Sequence, residues 1–347
     1  MKPLPFVTAG LPGTGGRLRD HLEDFRVSEI PAYQAAGKGD HVLCRIEKRG
    51  LTTFEAVRIL ARELDVQERD IGTAGLKDKH GVTQQQLSLP PPASPEAALA
   101  IEHPQLRVLE ASRHGNKLRT GHLRGNRFRL IVRDVGPDAL ARAQAIVGEL
   151  ERAPGAPNFF GPQRFGKDGR SAEDGRALVE GRRPPRGRKG RLLISAFQSL
   201  LFNDYLVSRM ERGQYRQIIE GDIAQIHGHH KSFRVTGVAE DQKRLAAGEI
   251  TATGPMYGHK MMSPDSGSAA AALEAEILAR HRVELESFRP LGKLATGTRR
   301  ALAVVVGSPS VSAGQDSQSL VLEFSLPPGS YATTITREVI KPEVSDS

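Results

Sequence analysis

Residues 17–153 alternate between strand-like and helix-like segments. The pattern breaks at PGAPNFFGPQRFGKDGR (154–170), and strand character dominates again only after about residue 300. A chain that leaves one domain and later returns to it carries such a trace. The expected organisation is therefore a discontinuous domain of residues 1–153 and 301–347, into which residues 154–300 are inserted. No internal repeat interrupts this reading.

The first segment, RLRDHLEDFRVSEI (17–30), ends in an alternation of Phe25, Val27 and then Ile30 that predicts a strand. HVLCRIEKRG (41–50) alternates Val42, Cys44 and Ile46 against polar neighbours and predicts a second. Thr52 or Thr53 can cap a helix through FEAVRILARELDV, where Val57, Leu60, Ala61 and Leu64 recur at helical spacing. A strand through 84–89 follows, then LPPPASPEAALA, which breaks regular structure before a short helix or excursion. RFRLIVRDV (127–135) predicts a strand and DALARAQAIVGELERA (138–153) a helix. After the break, LLISAFQSLLFNDYLVSRMERG predicts a long helix, residues 214–300 short strands with a helix near 268–285, and SLVLEFSLPPGSYATTITREVI renewed strands. The fold class is α+β (mixed α/β): a largely antiparallel sheet flanked by helices, with a second, inserted α/β domain.

Lys and Arg number 49 against 40 acidic residues, a net charge of +9 that favours polyanionic partners, nucleic acid foremost. No apolar run approaches the ~18 residues that would span a bilayer. The opening MKPLPFVTAGLPGTGGRLRD lacks the apolar stretch of a secretory signal, and the lone Cys44 excludes an internal disulfide, so the expected location is cytoplasmic.

The segment AGLKDKHGVTQQQ (74–86) holds one carboxylate, Asp78, between Lys77 and Lys79 and between Gly75 and Gly81. Two readings fit these residues alone. One is a solvated loop with a chance charge pattern. The other is a catalytic carboxylate on a stiff backbone, ionised and backed by cations that would also meet a phosphate.

AGLKDKHGVTQQ closely resembles the signature loop of the TruD family of tRNA pseudouridine synthases. EDFRVSEI, KLRTGHLRGNRF (117–128), NFFGPQRFG (158–166) and LPPGSYATTITREVI resemble further stretches of that family, in the same order, and SAFQSLLFN (195–203) resembles the helix of its inserted domain. The resemblance spans nearly the whole chain. It implies an isomerase that converts a uridine of tRNA, in bacterial members uridine 13 of the D arm, to pseudouridine. It implies a discontinuous catalytic domain, an RNA-gripping insertion, and neither cofactor nor metal. Asp78 matches the obligatory aspartate, whose act as nucleophile or base the resemblance leaves open. Phe128 matches a phenylalanine that stacks on the target base, and Asn126, on the same strand face, matches an asparagine near the aspartate. Arg19 stands where the family has a basic residue, often lysine, that pairs with the carboxylate. Phe25 and Tyr331 match aromatic positions lining the site, although at Tyr331 the family often has phenylalanine. The partner implied is tRNA, bound by a monomer with no obligate protein partner. Plain core packing is the competing reading for Phe25 and Phe128.

A target uridine must leave its stack, because neither C1′ nor C5 is reachable in folded RNA. Aromatic stacking of about 1–3 kcal/mol per base can offset much of that cost. Other signals are set aside. HGHHKS (227–232) lacks a Cys or carboxylate at ligand spacing, GLPGTGG lacks the GK[ST] of a phosphate loop, and Cys44 reads as a small buried hydrophobe. GRRPPRGRKGR (181–191) reads as an RNA backbone contact in preference to a merely solvated loop, its arginines and lysine being available for phosphates. Two alternatives in function remain: the same chemistry on another RNA or tRNA position, and a non-catalytic RNA-binding protein.

Overall fold

The structure is a computed structural model that describes residues 3–185, 188–229 and 231–341. Its contacts divide the chain into two compact units. A sheet-rich unit holds residues 12–147, 307–329 and the described residues from 339. A helix-rich unit holds the described residues up to 11, with 148–306 and 330–338. The expected boundaries at 154 and about 300 thus stand beside observed ones at 148 and 306. Residues up to 11 and 330–338, read from sequence with the first domain, make their contacts in the helix-rich unit.

Along the chain the sheet-rich unit begins with β1 (Arg17–Leu18), β2 (Phe25–Pro31), β3 (His41–Arg49), α1 (Thr53–Glu63), β4 (Gly72–Thr73) and β5 (Val82–Leu89). It continues through α2 (Pro95–Leu99), β6 (Leu106–His114), β7 (Leu123–Arg133) and α3 (Ala139–Glu151). Next come β8 (Ala156–Pro157), α4 (Arg170–Val179), α5 (Arg188–Glu211), β9 (Ile223–Ile226), β10 (Ser232–Arg234) and α6 (Val238–Ala246). The helix-rich part closes with β11 (Ile250–Met256), α7 (Ala269–Arg280), β12 (Thr298–Ala301) and β13 (Ala303–Val304). Finally β14 (Gly307–Ala313) and β15 (Ser319–Leu326) precede α8 (Thr333–Ile340).

The sheet of the first unit has the order β14-β15-β7-β2-β5-β3-β6, with β1 beside β7 and β4 beside β5. Only β2 and β5 run parallel; the other pairs are antiparallel. The late strand β15 pairs with β7 from Ser319 opposite Arg133 to Leu326 opposite Asn126. Helix α1 covers one face. Ala56, Val57, Leu60 and Ala61 meet Val42, Cys44, Ile46, Leu87, Leu106 and Val108 in one buried cluster. A large apolar side chain contributes roughly 1.5–3 kcal/mol when fully buried in this way. Burial also pushes the Cys44 thiol up to about 12.

Of the two candidate caps, Thr52 is the one used. Its hydroxyl accepts from the Glu55 amide at 3.1 Å, and Glu55 accepts from the Thr52 amide at 2.7 Å. Three elements depart from expectation. Strand β6 escapes the sequence pattern because its alternation slips where the β3 register shifts between Arg45 and Ile46. Helix α5 begins at Arg188, inside the basic run; residues 186 and 187 of that run lie outside the described residues. The segment TTITREVI is a helix rather than a strand, despite its β-branched residues. Pro327, Pro328 and Gly329 end β15, and Ala332, Ile335 and Val339 then fall on buried positions at helical spacing.

In the helix-rich unit, Phe197, Leu201, Phe202 and Tyr205 of α5 form a core with Ala224, Ile250 and Ala252 of a four-stranded sheet ordered β10-β9-β11-β12. Arg209 and Asp222 form a fully buried bidentate pair within it, at 2.7 and 3.0 Å.

Candidate active site

The loop 74–81 leaves the short strand β4, lies along the first turn of α1, and enters β5. The Lys77 amide donates to the Thr53 hydroxyl at 2.9 Å, and the Lys79 ammonium donates to Glu55 at 3.2 Å. The Gly121 amide donates to the Ala74 carbonyl at 2.8 Å. At the far end, Gly81 passes so close to Phe25 that a Cβ there would lie 2.4 Å from the Phe25 carbonyl oxygen. The glycine of that position is therefore a packing requirement. A loop tied at so many points holds its carboxylate in one place.

That carboxylate, Asp78, is 46% exposed, and Arg19 reaches it with Nη2 3.3 Å from Oδ2. The Arg19 guanidinium also covers the Phe25 ring, 3.9 Å from its centroid. Phe25 meets Phe128 edge to face at 6.4 Å, and Phe128 stacks on Phe324 at 5.3 Å. Phe25 and Phe128 are 3% and 6% exposed, so their rings form the wall of the site rather than projecting from it. Asn126 shares the Phe128 face of β7 and stands opposite Glu29 of β2. Its Oδ1 is buried and has no hydrogen-bond partner among the described residues.

The two lysines beside Asp78 each face a different carboxylate. Lys77 turns inward to Glu29 at 2.6 Å, with side chains 6% and 1% exposed, and Glu29 accepts in addition from the Gln86 amide. Lys79 faces Glu55, whose carboxyl is held at about 2 by the Thr52 amide and hydroxyl and then by Lys79. The cation in contact with the Asp78 carboxylate is thus Arg19, 59 positions earlier in the chain, and not a sequence neighbour. Sequence reasoning missed Lys48, which is wholly buried and donates to the carbonyls of Leu51 and Asp78 at 2.6 and 2.8 Å.

Comparison with known proteins covers nearly the whole chain. The family model described as tRNA pseudouridine synthase D (TruD) matches residues 4–183 and 188–339. This chain belongs to the TruD family. A tRNA pseudouridine synthase D of Anaeromyxobacter sp. (strain Fw109-5) is 47% identical over 349 residues, covering 98% of this chain and 97% of the relative. One of Thermus thermophilus is 41% identical over 346 residues, 99% and 93% of the two chains. A crystal structure from Methanosarcina mazei, described as a putative TruD protein, superposes with a TM-score of 0.78 at 27% identity, covering 96% and 95% of the two chains.

Within the sheet-rich unit, this TruD-family chain brings together Asp78, Arg19, Phe25, Phe128, Asn126, Lys77 and Lys79. Tyr331 belongs to the helix-rich unit, where it is 37% exposed and its ring lies 6.1 Å from Phe160. Phe160 is covered in turn by the Arg300 guanidinium at 4.0 Å, which donates to Asn158 Oδ1 at 2.5 Å. Burial pushes Arg300 down to about 10. Among the described residues no group of three or more His, Cys, Asp or Glu could hold a metal ion, and His230 of the histidine run lies outside them. No helix among them is long and apolar enough to cross a membrane.

Proposed function

We propose that this chain isomerises a uridine of tRNA to pseudouridine, at position 13 of the D arm, with Asp78 as the reacting carboxylate. The observation that carries this reading is a half-exposed aspartate on a tightly fastened loop with a guanidinium 3.3 Å away. The names of the relatives supply the reaction class, and the loop supplies the group such a reaction needs.

The reaction breaks the C1′–N1 bond, turns the uracil within the site, forms the C1′–C5 bond, and moves the C5 proton to solvent as N1 gains one. Atoms balance without a cofactor. Whether Asp78 attacks the nucleotide or removes a proton, its carboxylate must be ionised and within contact of the sugar or base. Arg19 pairs with the carboxylate at 3.3 Å and fixes the direction in which it points. Phe128 and Phe25 offer an apolar wall for a base that has left its stack, and Asn126 brings an amide to the same face. In this reading Lys77 and Lys79 bind substrate only indirectly, by holding the loop. Tyr331 supplies the aromatic side chain of the C-terminal motif, and residues 154–300 grip the RNA. The enzyme acts as a cytoplasmic monomer, and its net charge of +9 draws the tRNA in.

The test is mass-spectrometric mapping of pseudouridine in tRNA treated with the purified chain. A single new pseudouridine at position 13 supports the whole assignment. Product at another position moves the substrate assignment, and binding without any product favours an RNA-binding protein.

A further inference from the structure

Lysine is among the residues least often fully buried, because an ammonium taken out of water loses its hydration. Lys48 is 0% exposed, and among the described residues it forms no ion pair. Its ammonium meets two backbone carbonyls instead. One belongs to Leu51, which leads into the Thr52 cap of α1; the other belongs to Asp78 itself. The strands beside it place Thr83 and Leu106 opposite, neither of them titratable. The Thr83 hydroxyl is buried without a hydrogen-bond partner among the described residues. The charged groups that act on Lys48 are Asp78 and Glu55, which favour the ammonium, and Lys77, which opposes it. A charge buried at this cost, with bonds only to the two segments that meet at the reactive loop, contributes little that a hydrophobic residue could not supply to the fold alone.

We propose that Lys48 is a positioning residue for Asp78: its buried ammonium pins the aspartate backbone to the entry of α1 and keeps a positive charge behind the carboxylate. The proposal rests on Asp78 being the reacting group. Two consequences follow with opposite signs. Burial pushes Lys48 down from 10.5 to about 8, so the charge is present below that pH and is lost as pH rises through it. The rate of the chemical step therefore falls through pH 8. Stability moves the other way. The folded state sheds this proton before the unfolded state does, so the contribution of Lys48 to stability grows between about pH 8 and 10.5. A lysine that served the fold alone would not separate the two.

The experiment measures single-turnover pseudouridine formation on tRNA, tRNA affinity and thermal midpoint between pH 6 and 10. It compares the wild type with Lys48→Met, Lys48→Arg and Asp78→Asn. Lys48→Met is expected to slow the chemical step by about 10²-fold, the scale set by a 1 Å misplacement, with tRNA affinity held and without the wild-type gain in stability above about pH 8. It should also lose the limb near pH 8. Lys48→Arg, charged throughout, should retain more rate and show no limb there. A wild-type profile flat through pH 8 overturns the proposal. So does a Lys48→Met rate that falls only with the folded fraction, or a limb near pH 8 that persists in Lys48→Arg. If Lys48→Met matches the wild type while Asp78→Asn is inactive, Lys48 has no such role and Asp78 keeps its own. If Asp78→Asn turns over, the reading of Asp78 falls first.

Discussion

Arg19 holds its guanidinium 3.3 Å from the Asp78 carboxylate while its own backbone sits in the left-handed region, at φ 69°. That conformation costs a non-glycine residue roughly 1–2 kcal/mol, and it persists only where the surroundings fix it. Here the fixing contacts are the Phe25 ring beneath the guanidinium and the carboxylate beyond it. Arg19→Ala should slow single-turnover pseudouridine formation strongly while tRNA affinity changes little. Arg19→Lys should fall between the two, because it restores the charge but not the flat stacking surface. An alanine variant with the wild-type rate would remove Arg19 from the site.

Asp78→Asn keeps the shape of the side chain and removes the charge and basicity. Turnover should vanish while tRNA affinity stays within a few-fold, because binding rests on many phosphate contacts. Steady product from this variant over many turnovers would refute the assignment.

Phe128 is both wall and core: it is 6% exposed and stacks on Phe324 at 5.3 Å. Phe128→Ala should therefore cost about 3–5 kcal/mol of stability as well as rate. The informative quantity is the rate of the folded fraction, which must also fall if the ring meets the flipped base. Phe128→Tyr keeps the ring face and should remain substantially active unless the added hydroxyl is buried without a partner. A folded Phe128→Ala fraction that reacts at full rate makes Phe128 a core residue only.

Binding of tRNA should weaken steeply with salt, since a chain of charge +9 gains affinity by releasing counterions. Affinity measured from about 50 to 200 mM salt should drop by several powers of ten if six or more phosphates are contacted. A log–log slope near zero would rule out a phosphate-dominated interface.

Much of this arrangement is legible along the chain, and the exceptions have physical causes. Strands β2, β3 and β7 announce themselves by alternation, α1 by its cap, and the chain's return to strands near its end by the strand pattern after 300. What stays hidden depends on which way a side chain points. Lys77 and Lys79 read as a positive collar for Asp78, yet each faces a different carboxylate, because the loop lies along α1 and against Glu29. The alternation Val42, Cys44, Ile46 does hold a clue. Its next inward position is Lys48, and a lysine in phase with a buried face signals a buried cation. Helix α8 is obscured by β-branched residues whose burial on several sides outweighs their weak helix propensity.

The inward pair of Lys77 and Glu29 gives the last prediction. Both side chains are closed off from water, and their contact at 2.6 Å joins the Asp78 loop to β2, whose neighbour β7 carries Asn126 and Phe128. Among the described residues, Lys77→Met leaves Glu29 with only the Gln86 amide as a donor, and Glu29→Leu leaves the ammonium with no acceptor from this pair. Breaking a buried pair from one side costs about 3–5 kcal/mol, because the survivor keeps its desolvation without its partner. Each single variant should therefore lower the denaturation midpoint sharply. The double variant should recover much of the loss, since replacing both charges by apolar groups of similar volume is often close to neutral. Activity should not recover with it. The loop would then lie on β2 without the bond that sets its height, and Asp78 would be misplaced in a stable fold. Additive losses of stability in the double variant would show that the pair is not coupled. Full activity in a stable double variant would show that the Asp78 loop is held in place without it.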